Sequence, residues 1–393
     1  MSDGNPHADP ANQRSAAPET ERIMDRLVRA GCIPVSPSIL SMAPPSPGTR
    51  SWDRVEGMLL GLAIGDALGN TSEGMLPAHR RQQYGEIRDY LPNRHAGGRA
   101  VGLPSDDTQM AFWTLEQLID DGGYVPANLA RRLASGRIFG IGSAVNEFVD
   151  RTLNQGLPWE EAGVASAGNG ALMRIAPILL PHLRAPSSRL WIDAALATMT
   201  THNDAAAISA SVAFVAVLWD LLAMSSTPDA GWWLARFADV ADRLEPADSR
   251  YQARGGSFTG FDGRFVDFVR SRVDDAWQRE VDVLTACNEW YSGAYLLETV
   301  PSVLYALMRY GHDPVEALVR SVNDTKDNDT VAAIVGAAVG ALHGASAFPV
   351  RWRSGLLGRT REDDDGRVFQ LIERAQVFRP QSASRAAVRG NRE

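Results

Sequence analysis

From Ser51 to about Ala375, apolar residues recur every three or four positions, and glycine, proline or a short polar turn closes each block. That period predicts helices, and strand-like alternation between turn signals is scarce. The blocks are WDRVEGMLLGLAIGDALG, SDDTQMAFWTLEQLIDDGG, NGALMRIAPILLPHL, RLWIDAALATMT, DAAAISASVAFVAVLWDLLAMS, SGAYLLETVPSVLYALMRYG and KDNDTVAAIVGAAVGALHG. Ser105 or Asp106 stands where the second helix needs a cap, and Gly122–Gly123 where it stops. Pro177 interrupts the third. The pattern predicts one all-α domain over residues 51–375.

The flanks differ. Residues 1–50 are rich in proline and predict a flexible extension. Within it, PETERIMDRLVRAGC has Pro18 placed for a first turn, Gly31 for an end, and Ile23, Leu27 and Val28 for one face. Residues 19–31 therefore read either as a transient helix or as an arm that docks on this protein or a partner. Residues 376–393 read as a flexible basic tail.

Two blocks carry glycine every fourth residue: Gly57, Gly61, Gly65 and Gly69, then Gly336, Gly340 and Gly344. Glycine costs about 1 kcal/mol against alanine inside a helix, so a repeated stripe implies a face where no side chain fits. GxxxG in an apolar run also suits a membrane dimer. His343 and Pro349 interrupt that reading, and no second convincing span exists, so close packing in a core is expected.

Composition narrows the function. Over 393 residues, 45% are hydrophobic and the net charge is −8 with no basic stripe, which excludes broad nucleic-acid binding. The two cysteines, Cys32 and Cys287, have no CxxC spacing. A zinc knuckle or disulfide framework is not expected, and a reducing cytoplasm is the default. The N-terminus has no apolar secretory core.

The candidate chemistry is acidic. Asp106 and Asp107 open one helix between Ser105 and Thr108; Asp327 and Asp329 open another, before Thr330. Helix N-termini stabilise carboxylates, so capping accounts for any one of them. Two doublets, each with a hydroxyl, exceed what capping needs. If the two starts meet, repulsion raises the carboxyl pKa values unless cations intervene. All-oxygen donors suit Mg²⁺, Mn²⁺ or Ca²⁺ rather than zinc. A pair of metals about 3.5–4 Å apart could be bridged by such a set.

GLAIGDALGNTSE, SDDTQM, SAGNGALMRIAP, THND, SGAYLLETV and DNDTVAAIVGAAVGALHG occur in the order found in ADP-ribosylglycohydrolases, and FPVRWRSGLLGR resembles that family's closing segment. The resemblance spans about Trp52 to Leu371. It implies a compact all-α fold with a dinuclear Mg²⁺ or Mn²⁺ centre that hydrolyses ADP-ribosyl groups from protein side chains, arginine first. Carried over, Ser105, Asp106 and Asp107 resemble one metal-ligand group, and Asp327, Asp329 and Thr330 the other. Glu73 falls where members place a catalytic glutamate, with Asp107 beside the reaction, and Asp66 orients its neighbours. Ser166, Gly168, Asn169 and Gly170 resemble the loop that holds diphosphate and ribose, where glycines let backbone N–H groups approach phosphate. His202 either touches substrate or caps a turn; Tyr295 either stacks on adenine or is core.

Two departures stand out. TKDNDT puts Lys326 where members carry a small residue, with Asp324 adding an acid nearby; Ala167 stands where some carry an aromatic. Some bacterial relatives that resemble this chain serve as immunity proteins against ADP-ribosyltransferase toxins. The resemblance therefore implies two partners, an ADP-ribosylated protein and a cognate toxin. The other reading is a binding protein that blocks the transferase through its arm without catalysis.

Overall fold

The computed structural model describes residues 10–46, 48 and 50–380, with side chains from residue 19 onward. Among these there are seventeen α-helices, six short 3-10 turns and two two-stranded ribbons, Pro92–Asn93 with Arg99–Ala100 and Tyr251–Gln252 with Asp262–Gly263. The all-α expectation holds, because the apolar period finds a partner face at every block.

At the centre, helices Trp52–Asn70 and Asn328–His343 lie against each other along their glycine stripes. A Cβ added at Gly57 would stand 2.5 Å from the Gly340 carbonyl oxygen. One added at Gly61 would overlap the Gly336 carbonyl, and one at Gly65 the Ala332 carbonyl. At the far end, a Cβ on Gly69 would stand 2.5 Å from Asp329 Cα. The pair packs backbone to backbone, with every residue from Asn328 to Leu342 buried in protein. No helix among the described residues is long and apolar enough to cross a membrane. Around the pair stand Asp106–Asp121, Ala205–Leu221, Leu296–Tyr310 and Pro314–Asp324.

NGALMRIAPILLPHL departs from the helix expected of it. It forms two 3-10 pieces, Leu172–Arg174 and Ala176–Leu183. Pro177 and Pro181 each remove an amide donor, which an α-helix would need four residues back.

In the N-terminal segment, helix Pro10–Ala30 starts well before the position foreseen near Pro18. Met24 and Leu27 are buried beside helix Arg189–Met199. Arg26 grips Glu160 with two hydrogen bonds of 2.7 and 2.8 Å, and Asn203 Nδ2 donates to the Cys32 carbonyl at 2.9 Å. Of the basic tail, residues 381–393 lie outside the described residues.

The glycine contact predicts a contrast. Gly61→Ala must push two helix backbones apart and should cost about 3 kcal/mol or more. Gly231→Ala, in helix Ala230–Leu244 with open space around its Cβ, should be neutral or stabilising by up to about 1 kcal/mol. Urea unfolding of both variants measures the difference.

Candidate metal centre and substrate cleft

The glycine-packed pair decides where the acids go. Asp66 sits in the last turns of Trp52–Asn70, Glu73 on the loop just after it, and Asp327 and Asp329 at the start of the partner helix. Helix Asp106–Asp121 adds the third edge. Carboxylate oxygens of Asp66, Asp107 and Asp329 come within 4.8 Å of one another, as do those of Glu73, Asp327 and Asp329. The two doublets therefore meet.

Capping does not explain them. Ser105, not an aspartate, caps Asp106–Asp121, its Oγ accepting from the Asp107 amide at 3.2 Å. Asp327 holds the N-cap position of Asn328–His343, yet its side chain caps no amide there. Its Oδ2 instead accepts from Asn169 Nδ2 at 2.6 Å.

The acids divide by how well their oxygens are satisfied. Both Asp66 oxygens accept from the Ser105 amide at 3.0 Å, and Oδ2 also takes the Thr108 amide at 3.0 Å and the Thr108 hydroxyl. Asp66 is thus an orienting group that fixes the SDDT turn. Asp107 Oδ2 accepts from Ser105 Oγ at 3.0 Å and Thr330 Oγ1 at 3.3 Å, which joins the two motifs. Asp107 Oδ1 is buried and finds no partner. A bare buried carboxylate oxygen is costly unless something positive meets it. That atom and the all-oxygen set around it fit a hard divalent cation.

Asp106 stands outside both tight groups, half-buried, its Oδ1 facing the Gly140 backbone. Thr330 reaches the centre through its hydroxyl to Asp107, and its amide donates to Asp329 Oδ1 at 2.9 Å.

Burial raises every carboxyl here, and the repulsion expected from the sequence comes second. Asp107 and Asp329 are pushed well up by lost hydration, then by their acidic neighbours. Asp327 is pushed up to about 6 by burial, partly offset by the Asn169 hydrogen bond and the Lys326 charge. Glu73 lies on an exposed loop edge, yet lost hydration and the charges of Asp327 and Asp66 lift it to about 7. A carboxyl near 7 can both give and take a proton at neutral pH.

The glycine loop lies alongside. Gly168 and Tyr295 pair as a β-bridge, with the Asn169 amide donating to Ala294 O at 3.1 Å and Leu296 to Ala167 O at 2.9 Å. Asn169 Nδ2 also reaches Thr299 Oγ1 at 3.0 Å, so its side chain ties the loop to Asp327. Ser166 Oγ accepts from the Gly168 amide at 3.2 Å. His202 is buried beneath the loop: a Cβ on Gly170 would stand 3.0 Å from its Cε1, and one on Gly168 3.5 Å from its Nε2. Burial, then Arg174, holds its pKa down to about 3, so it is neutral. The glycines at 168 and 170 thus make room for a supporting imidazole. A cleft of about 980 Å³ opens on Glu73 and Ser105, with Arg94, Arg137 and Phe139 on its walls.

Arg80 is the residue that sequence reasoning missed. Fully buried, it donates from Nε to Ser72 Oγ at 3.0 Å, and from Nη2 to Met75 O at 2.9 Å. Nη1 donates to Thr325 O at 2.7 Å. One guanidinium therefore clamps the loop carrying Glu73 to the strand of chain leading into Asp327. Asn328 adds to the clamp, its Nδ2 reaching Gly69 O and Ser72 Oγ at 3.2 and 3.0 Å. Within AHRRQQY nothing distinguishes Arg80 from Arg81, so no local signal announces it.

Comparison with known proteins bears on the family and the fold. A family model described as ADP-ribosylglycohydrolase matches residues 46–382. The chain is 31% identical to an uncharacterized protein of Archaeoglobus fulgidus, covering 78% of this chain and 92% of that one. It is 28% identical to the ADP-ribosylarginine hydrolase Tri1 of Pseudomonas putida, over 77% of this chain and 74% of the relative. Among solved structures, an ADP-ribosylglycohydrolase-related protein complex superposes with a TM-score of 0.60 at 26% identity, covering 83% of this chain and 97% of that one.

Two outcomes test the centre. Without divalent cation, the folded acids hold protons that the unfolded chain has already lost by pH 5. The cluster's contribution to stability therefore falls as pH rises from 5 through 7. Millimolar Mg²⁺ or Mn²⁺ should then raise the melting temperature at pH 8 and leave it nearly unchanged at pH 5, with Asp329→Asn abolishing the shift. Arg80→Lys keeps the charge but loses the fan of donors, and should weaken cation affinity about 10–100-fold in a titration.

Proposed function

Because this chain belongs to the ADP-ribosylglycohydrolase family, we propose that it hydrolyses the N-glycosidic bond joining ADP-ribose to an arginine side chain of a modified protein, with Mg²⁺ or Mn²⁺ bound at the acidic centre. The observation that carries this reading is the tie between the glycine loop and the acids: Asn169 holds Asp327, whose carboxylate converges with Glu73 and Asp329. A ligand lying on the loop would end at those carboxylates. The name of the Pseudomonas putida relative supports arginine as the released side chain.

Asp107, Asp327 and Asp329, with Thr330 and Ser105 behind them, would hold the cations. When bound, these supply a grip on ribose hydroxyls and a more acidic water at the anomeric carbon. The chain's own groups do the rest. Glu73, at about 7, is poised to take a proton from the attacking water or return one to the departing nitrogen. The surrounding carboxylates favour the positive charge that grows on the sugar as the bond breaks. His202 and Asn169 hold the loop, and Asp66 holds the SDDT turn.

In this reading, protection against an ADP-ribosyltransferase toxin follows from erasing its mark. The competing reading is a non-catalytic arm that blocks the toxin through residues 19–31. It is disfavoured because Met24 and Leu27 are spent on this chain's own body. It also gives no reason for an unpartnered Asp107 Oδ1.

Incubation of the protein with ADP-ribosylated arginine peptide and Mg²⁺ should release free ADP-ribose. Asp329→Asn should lose at least about 100-fold in rate, and Glu73→Gln should also be slowed, with its pH profile flattened near 7. Tight binding to a transferase without release would favour the blocking reading.

A further inference from the structure

Lys326 and Arg254 are cations held beside the acidic centre on aromatic rings. Lys326 Nζ lies 4.0 Å from the centroid of the Tyr291 ring and donates to its hydroxyl. The Arg254 guanidinium lies 4.1 Å over the Tyr295 ring. Among the described residues neither has a carboxylate within ion-pair distance. An aromatic cushion holds a cation in place while leaving its charge to another ligand.

Their placement is built. The ribbon Tyr251–Gln252 with Asp262–Gly263 brings Arg254 to its tip, where a Cβ on Gly255 would stand 2.6 Å from the Tyr291 ring. The Ser257 amide donates to Glu289 O at 2.7 Å, pinning the tip. Tyr291 has φ 79 and Ser292 φ 46, left-handed backbone that side-chain-bearing residues seldom adopt. Ser292 repays this by accepting from the Lys326 amide through Oγ at 3.1 Å and from the Asp327 amide through its carbonyl at 2.9 Å. Buried Glu298 lies within electrostatic reach of Lys326, Arg254 and Asp327 alike, so the two cations gather beside the centre.

Resting on the hydrolase reading above, we propose that Lys326 and Arg254 form a diphosphate-binding edge beside the glycine loop, so that this chain recognises the ADP part of its substrate by charge. Lys326 is one residue from Asp327, and Tyr295 is paired with Gly168. A sugar held at the carboxylates would send its next groups, the two phosphates, across this edge. Stacking is poorly supplied here. Ala167 offers no ring, and Arg254 already covers one face of the Tyr295 ring. The cation between ring and ligand turns a stacking platform into an anion site.

The test is the affinity of the Mg²⁺-loaded protein for ADP-ribose, and for ADP, by titration calorimetry. Arg254→Met and Lys326→Met should each weaken both ligands about tenfold, and the double variant should lose most of the salt dependence of binding. Arg351→Met, which removes a cation stacked on Trp352, should leave affinity unchanged. A Mg²⁺-induced melting shift in the double variant equal to that of the parent shows that the centre is intact. Unchanged ADP-ribose affinity in the double variant overturns the edge and leaves the hydrolase reading standing. Failure of the unsubstituted protein to bind ADP-ribose overturns both.

Discussion

Everything at the acidic centre depends on a contact with no side chains in it. Where Gly57, Gly61 and Gly65 meet Gly340, Gly336 and Ala332, two helices touch through carbonyl oxygens and α-carbons. Side-chain packing can relax by changing rotamers; backbone against backbone cannot. The last glycine of the stripe, Gly69, carries that rigidity to Asp329 Cα. The helix pair therefore sets the separation of Asp66 from Asp329, and through the next loop that of Glu73 from Asp327. A stiff mount is what a cluster of like charges requires, since any freedom would let the acids move apart.

The cluster is tolerable because its members are not equivalent. Asp66 is surrounded by amide and hydroxyl donors and acts as a fixed hydrogen-bond acceptor for the turn before Asp107. Behind Asp329, buried Arg80 supplies positive charge, and the same burial lowers its own pKa to about 10. Asp107 Oδ1 is the carboxylate oxygen of the cluster that stays buried without a partner. Under the proposed function, the fully satisfied acid positions its neighbours and the unpartnered oxygen is left for a cation. That division follows from hydrogen-bond supply rather than from residue type, since most of these groups are aspartates.

How much of this is legible in the chain varies with the range of the interaction. The helices, the Ser105 cap and the paired acidic starts are written in period and local spacing, so they could be read directly. The glycine stripes declared a close face, but which face they met was a tertiary fact. The segment NGALMRIAPILLPHL misled because its apolar period outvoted two prolines. Arg80 was illegible because it ties nearby Ser72 and Met75 to a backbone carbonyl some 245 positions away. Asn169, expected to touch ligand, spends its amide on Thr299 and Asp327, and Gly168 and Gly170 make room for His202. Those assignments depend on what packs beneath the loop, which no local pattern encodes.

The Asn169 link also bears on how the two halves of the site communicate. Its Nδ2 donates to Asp327 Oδ2 at 2.6 Å, while its backbone amide is held by Ala294. Asp327 in turn receives its own amide bond from Ser292, on the segment that carries Tyr291 and Tyr295. The loop, the aromatic segment and the acid thus form one closed hydrogen-bonded circuit. A ligand pressing on the loop alters the donor that competes with any cation for Asp327, and a cation drawing on Asp327 alters the loop. Under the proposed function, binding at the two places would draw on the same Asn169 amide, and any coupling between them would be reciprocal. The circuit is short and built from single hydrogen bonds, so a change at one end would reach the other without a second fold of the chain.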